Sequence, residues 1–203
     1  MNYKFISFEG IEGCGKSTQT KMLQQFLLQK NYDAIITREP GGTKAGELIR
    51  EILINDNLEK LEAKTEIFLN FAARIEHVEK LIKPALREEK IIICDRFFDS
   101  TFVYQGYGFG ANLQLIETVK NLAIENFKPD ITFVIDVPVE QAFARIEART
   151  TNNRYEKLSR DFHEKTRAGF LKLAAENPQR IKVIDGTKTP TEVSQEIVKI
   201  LEK

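Results

Sequence analysis

Cysteine is scarce in this chain of 203 residues: Cys14 and Cys94 stand alone, with no Cys-x-x-Cys pair and no Cys/His cluster. That excludes a disulfide framework and a structural zinc site, and leaves two buried thiols as the expectation. Net charge is lacking as well, since 30 Lys and Arg balance 30 Asp and Glu. Without a global field the chain is not expected to bind nucleic acid or an anionic membrane, and any anion must be held by local charges. No apolar run approaches the roughly 18 residues of a membrane span. The opening MNYKFISFEG has neither the apolar stretch nor the small-residue cleavage site of a signal peptide, so a cytosolic protein is expected. Repeats, low-complexity segments and Pro/Gly/Ser-rich linkers are also missing. Length and an apolar content of 42% then point to one domain with a true hydrophobic core.

What is present is an alternation. Short runs rich in Ile, Val and Phe, at Tyr3 to Phe8, Ala34 to Thr37, Ile91 to Cys94, Ile131 to Ile135 and Ile181 to Ile184, read as buried strands. Between them lie stretches with helical spacing, such as Met22, Leu23, Phe26 and Leu27, or Ile67, Phe68, Phe71, Ile75 and Val78. Alternating strands and helices imply right-handed crossovers and a parallel sheet covered on both faces, the three-layer α/β/α arrangement. Ligands of such sheets bind outside the carboxyl ends of the strands, so chemistry is sought just after each one. The polar stretch from Arg149 to Arg154 has no apolar residue to pin it and is the candidate mobile loop.

Directly after the first strand comes Gly10-Ile11-Glu12-Gly13-Cys14-Gly15-Lys16-Ser17, a full match to GxxxxGK[ST], followed by a helix-compatible run from Thr18 to Lys30. Glycines let successive N–H groups curl inward onto phosphate oxygens, and the helix N-terminus adds favourable dipole charge. Lys16 supplies a point charge to the β- and γ-phosphates, and Ser17 a hydroxyl for a Mg²⁺ shared with the nucleotide. An ordinary Gly-rich turn is the competing explanation. Average residue usage makes an accidental match in a chain of this length about a one-in-a-hundred event, and the strand–loop–helix setting makes it rarer.

Binding ATP does not reveal what receives the phosphate, so the other strand ends must decide. After the second strand stands Thr37-Arg38-Glu39-Pro40-Gly41-Gly42-Thr43, a tight turn with Arg and Glu at its mouth. After the third stands Asp95-Arg96: a carboxylate that can hold magnesium through water beside a guanidinium that can fork onto a phosphate. Arg74 lies one turn after Asn70 on a largely apolar helix, and a partly buried Arg needs an acceptor, which a base or phosphate would supply. Local ion pairs, Arg74 with Glu66 or Glu76 and Arg50 with Glu47, remain open alternatives. His163-Glu164 starts like a zinc-protease motif but lacks the second His, and a solvated helix face is expected there. Neither His77 nor His163 receives a catalytic role.

FEGIEGCGKST, TREPGGT, FAARIEH, DRFFDST and FVYQGYGFG, in this order and spacing, resemble thymidylate kinase of the bacterial type over nearly the whole chain. The resemblance implies a P-loop NTPase fold with a five-stranded parallel sheet, one nucleoside monophosphate kinase domain over 1–203, and a mobile lid at about 145–158. It implies transfer of the γ-phosphate of ATP to thymidine 5′-monophosphate, with Mg²⁺ bound alongside ATP, in a homodimer. Carried residue by residue, Gly10 to Thr18 hold ATP, Lys16 steadies the transferring phosphoryl, Ser17 and Asp95 serve magnesium, and Arg96 bridges donor and acceptor phosphates. Arg50 helps hold the acceptor phosphate; Arg74, Thr101 and Gln105 line the thymine pocket; Glu39 and Tyr104 lie near the deoxyribose. The loop carries Glu12 and no Arg, so the resemblance points to the subclass that supplies a catalytic Arg from the lid, with Arg154 and Arg149 ahead of Arg145. One position departs from the family pattern: Asn70 stands where a Phe usually stacks on the base, so either Asn70 contacts the base, Phe71 (turned by about 100°) or Phe68 reaches it from another angle, or base affinity is weakened. Another pyrimidine nucleotide kinase, or a P-loop switch ATPase, are the alternative readings.

Overall fold

The computed structural model describes residues 3–55, 59–147 and 154–202. Five strands, β1 (Phe5–Glu9), β2 (Ala34–Arg38), β3 (Ile91–Asp95), β4 (Ile131–Asp136) and β5 (Ile181–Asp185), form one sheet in the order β2-β3-β1-β4-β5. All paired neighbours are parallel. The strands read as apolar runs because both faces are covered. In β3, Ile91 and Ile93 join one core with Ile6, Phe8, Leu23 and Phe133, while Ile92 and Cys94 join another with Phe5, Ile67, Phe71 and Phe97. Where two polar side chains meet inside, they satisfy each other: Ser7 Oγ lies 2.7 Å from Thr132 Oγ1. Cys14 and Cys94 are both buried, as the sequence suggested, and burial pushes the Cys94 thiol well above its ordinary range.

The covering helices are α1 (Lys16–Gln29), α2 (Lys44–Ile54), α3 (Ala63–His77), which continues through a π-helical turn (Val78–Ile82) into α4 (Lys83–Arg87), and α5 (Phe98–Thr101), which runs on as a π-helical stretch to Gly108. Then come α6 (Leu113–Ile124), α7 (Val139–Glu147), a 3₁₀ turn (Arg154–Lys157), α8 (Arg160–Glu176) and α9 (Pro190–Leu201). Several starts are written locally. Thr43, Asn112 and Ser159 accept backbone N–H bonds at the heads of α2, α6 and α8, and Thr189 with Glu192 forms a reciprocal capping box before α9. No helix among the described residues is long and apolar enough to cross a membrane.

Register positions the site. Phe8 pairs with Asp95, and Asp95 with Arg38, so β1, β3 and β2 stop level with one another. The turns that follow them therefore open into one crevice at the carboxyl edge.

Candidate active site

The loop after β1 needs glycine where it bends. Gly10 has φ +136°, and a Cβ there would lie 2.6 Å from the Ile135 carbonyl oxygen; Gly13 has φ +75°, with the Ala142 carbonyl at 2.4 Å. The helix that follows begins at Gly15 with no side-chain cap, which leaves its first N–H groups for an anion. Ile11 and Cys14 turn into the core and anchor the loop from below. Lys16 folds back over the loop, donating to the carbonyls of Gly10 at 3.0 Å and Ile11 at 2.9 Å.

Arg96 reaches the same point from β3. Its Nη1 also donates to the Gly10 carbonyl at 3.0 Å, and its Nη2 to Glu12 at 3.0 Å. The residue holds φ +74°, a left-handed conformation that is costly outside glycine and is kept where surrounding bonds over-determine it. Here Glu9 supplies those bonds, because its buried carboxylate accepts from Phe97 N at 2.7 Å and Ser100 Oγ at 2.6 Å. Burial, reinforced by Asp99, raises the Glu9 carboxyl to about 7 despite these donors. Glu12 behaves oppositely. Burial pushes it up, but the Arg96 and Lys16 charges and the Tyr104 hydroxyl offset this and leave it below the usual carboxylate range. Ser17 Oγ donates to Asp95 Oδ2 at 2.8 Å, so a hydroxyl and a carboxylate, two hard oxygen donors, stand side by side at the helix start. That donor set fits Mg²⁺, which takes few protein ligands and keeps most of its waters.

The opposite wall is made of buried pairs. Glu39, 3% exposed, accepts from Arg74 Nε at 2.6 Å and lies 2.9 Å from His77 Nδ1. Arg74, 2% exposed, donates onward to Thr101 Oγ1 at 3.2 Å and lies over the rings of Phe71 and Phe97. Thr101, Tyr104 and Gln105 follow one another along α5 and its π-helical extension, which a bidentate Arg180–Asp99 pair fastens beside the sheet.

One crevice gathers most of the residues singled out in the sequence. Glu12, Gly13, Gly15, Lys16, Ser17 and Thr18 line it from the loop side, with Asp95 and Arg96 between. Glu39, Arg50, Asn70, Arg74, Thr101, Tyr104 and Gln105 line it from the other. Several expectations are corrected. Phe71 is buried in the second core beneath Arg74 rather than on the crevice wall, and Phe68 is 51% exposed and away from it, so neither takes the place that Asn70 leaves. Arg74 pairs with Glu39, 35 residues away, and not with Glu66 or Glu76. Glu47 is taken by Arg38, while Arg50 donates to the Pro40 carbonyl. His163 is 1% exposed, not on a solvated face; its Nδ1 lies 3.5 Å from Glu12, and burial lowers its pKa.

The lid candidates separate. Arg145 belongs to α7 and ties the Cys14 carbonyl to that of Gly186. Arg149 lies outside the described residues, and Arg154 donates to Glu66. Sequence reasoning missed Glu9, Ser100 and Tyr155, and saw Glu66 only as a possible ion-pair partner. Glu66, Asn70 and Arg74 recur every four residues along α3, a polar stripe that could have marked Glu66.

A family model described as thymidylate kinase matches residues 8–197. The thymidylate kinase of Thermoanaerobacter sp. (strain X514) is 43% identical over 203 residues, covering all of this chain and 99% of that one. That of Kosmotoga olearia is 43% identical over 195 residues, covering 96% and 93%. The crystal structure of thymidylate kinase from Ehrlichia chaffeensis superposes with a TM-score of 0.78 at 39% identity, over 97% of each chain. A phosphate loop facing a second wall of paired guanidinium and carboxylate groups, on a sheet of this order, has the same account: the chain belongs to the thymidylate kinase family.

Proposed function

We infer that this chain transfers the γ-phosphate of ATP to dTMP, giving ADP and dTDP, the step that leads toward dTTP. The observation that carries the reading is the meeting of Lys16 and Arg96, from two separate strand ends, on the single Gly10 carbonyl. Glu12 balances one of these two charges, and a phosphoryl group passing between two nucleotides, which carries more negative charge than one carboxylate, is the further anion that such a pair of donors suits.

In this reading ATP lies on the loop from Gly10 to Thr18, its phosphates on the uncapped N–H groups at the head of α1 and on Lys16. Ser17 and Asp95 would hold Mg²⁺, which supplies charge neutralisation at the phosphates. Arg50 and Arg96 bind the acceptor phosphate; Arg74, Thr101 and Gln105 read the base; Glu39 and Tyr104 border the sugar. No side chain is needed as a strong base, because the acceptor is already a phosphate anion and positioning suffices. The loop contributes Glu12 in place of an Arg, which supports the subclass that draws a catalytic Arg from the lid, with Arg154 or Arg149 in that role. We further propose a homodimer acting in the cytoplasm, as the family resemblance leads us to expect.

The test is turnover of dTMP, dUMP, dCMP and thymidine with ATP and Mg²⁺. The reading expects dTMP to have the highest kcat/KM. Equal turnover of all pyrimidine monophosphates would make the chain a general pyrimidine nucleotide kinase, and ATP-dependent assembly without phosphorylated product would make it a switch.

A further inference from the structure

Glu66 has no part in the scheme above, yet its carboxylate, behind the acceptor wall, accepts from three side chains. It is 1% exposed, and each group around it donates. Oε1 takes the Arg154 guanidinium; Oε2 takes the Gln105 amide nitrogen at 2.8 Å and the Tyr155 hydroxyl at 3.1 Å. A guanidinium only donates, so the carboxylate facing it accepts. The Gln105 amide is therefore not free to turn over: rotation would set its carbonyl oxygen against a carboxylate oxygen and lose the bond. Gln105 lines the crevice. Among the described residues its Oε1 accepts no hydrogen bond, so the carbonyl is the end left for a ligand in the crevice.

We propose that Glu66 is a positioning residue that fixes the orientation of the Gln105 amide, so that the base meets an acceptor and a pyrimidine bearing N3–H, thymine or uracil, is selected over cytosine. Thymine offers a donor at N3 and an acceptor at O4, which match the Gln105 carbonyl and the neighbouring Arg74 guanidinium. Cytosine offers an acceptor at N3 and an amino group at C4, and opposes both. A site whose buried polar groups would be left unpaired rejects the wrong partner strongly, whereas shape alone discriminates weakly between bases of nearly equal size. The inference rests on the kinase reading and assigns its base selectivity to a residue that does not touch the base.

The test measures kcat/KM for dTMP and dCMP, with thermal melting as a check on folding, in the wild type, in Glu66→Gln and in Glu66→Gln combined with Gln105→Glu. An amide at 66 can face Gln105 with either end, so the single variant is expected to lower the dTMP-to-dCMP ratio by about tenfold or more. A purely structural role would lower both substrates by the same factor. The swapped pair again places an acceptor oxygen toward the base, now from a carboxylate at 105 in place of the amide carbonyl, and is expected to restore the wild-type ratio to within about threefold. An unchanged ratio in folded Glu66→Gln overturns the proposal. Should that variant not fold, a folded swapped pair without preference for dTMP overturns it equally. Wild-type protein that prefers dTMP while the ratio stays fixed in the variants defeats only the role of Glu66; wild-type protein inert toward dTMP defeats the kinase reading and this inference with it.

Discussion

The two walls of the crevice are built on different principles. The donor wall is nearly continuous in sequence: residues 10–18 supply backbone N–H groups and one lysine, and the loop's shape follows from where glycine permits a positive φ. The acceptor wall is assembled from α2, α3 and the stretch after β3, and its side chains are held in buried pairs such as Glu39 with Arg74. A polyphosphate is read by repeated, interchangeable donors, so any helix start with the right turn will serve. A base must be told from near-identical bases, and that takes side chains whose orientation is fixed by other side chains.

Arg96 belongs to both walls, and its loss is expected to have the largest effect. Arg96→Ala removes the cation shared by the two phosphate sites and leaves Glu12 without its guanidinium partner. A fall in kcat of about 10² to 10³ is expected from losing one preorganised transition-state donor, with a smaller change in the KM for ATP. Full activity in that variant would remove Arg96 from the mechanism. Asn70→Phe is expected to have a smaller effect, confined to the acceptor wall. Asn70 lines the crevice and donates to the Glu66 carbonyl, and a ring there could lie on the base. Stacking is worth about 1–3 kcal/mol per base in other nucleotide sites, so dTMP should bind about fivefold to a hundredfold more tightly by calorimetry while ATP affinity holds. Equal tightening for ATP would mean that the two walls are not independent.

How far the sequence could be read follows the same division. Each apolar run stopped one residue before its strand does, and the added residues are Glu9, Arg38, Asp95, Asp136 and Asp185. Apolar patterning reports what the core covers, whereas the hydrogen-bonded ladder continues one step further to the carboxyl edge. That step carries Asp95 onto Ser17 and Glu9 onto Phe97 and Ser100. The phosphate loop was legible because its function is local. The partner of Arg74 was not, because spacing offers only neighbours on the same helix and the true acceptor lies on a turn after β2. His163 was misplaced for a related reason: a polar residue among charged ones reads as solvated, yet α8 packs it against Glu12 and the ring of Phe143.

The most direct test is a crystal structure with dTMP and a non-hydrolysable ATP analogue bound together. The account predicts the two phosphate groups facing each other across Lys16 and Arg96, the acceptor phosphate within hydrogen-bond reach of Arg50, and the base edge on Gln105 and Arg74. An ATP analogue on the loop with the second wall empty at saturating dTMP, or with Arg74 and Arg96 turned away from the nucleotides, would contradict it.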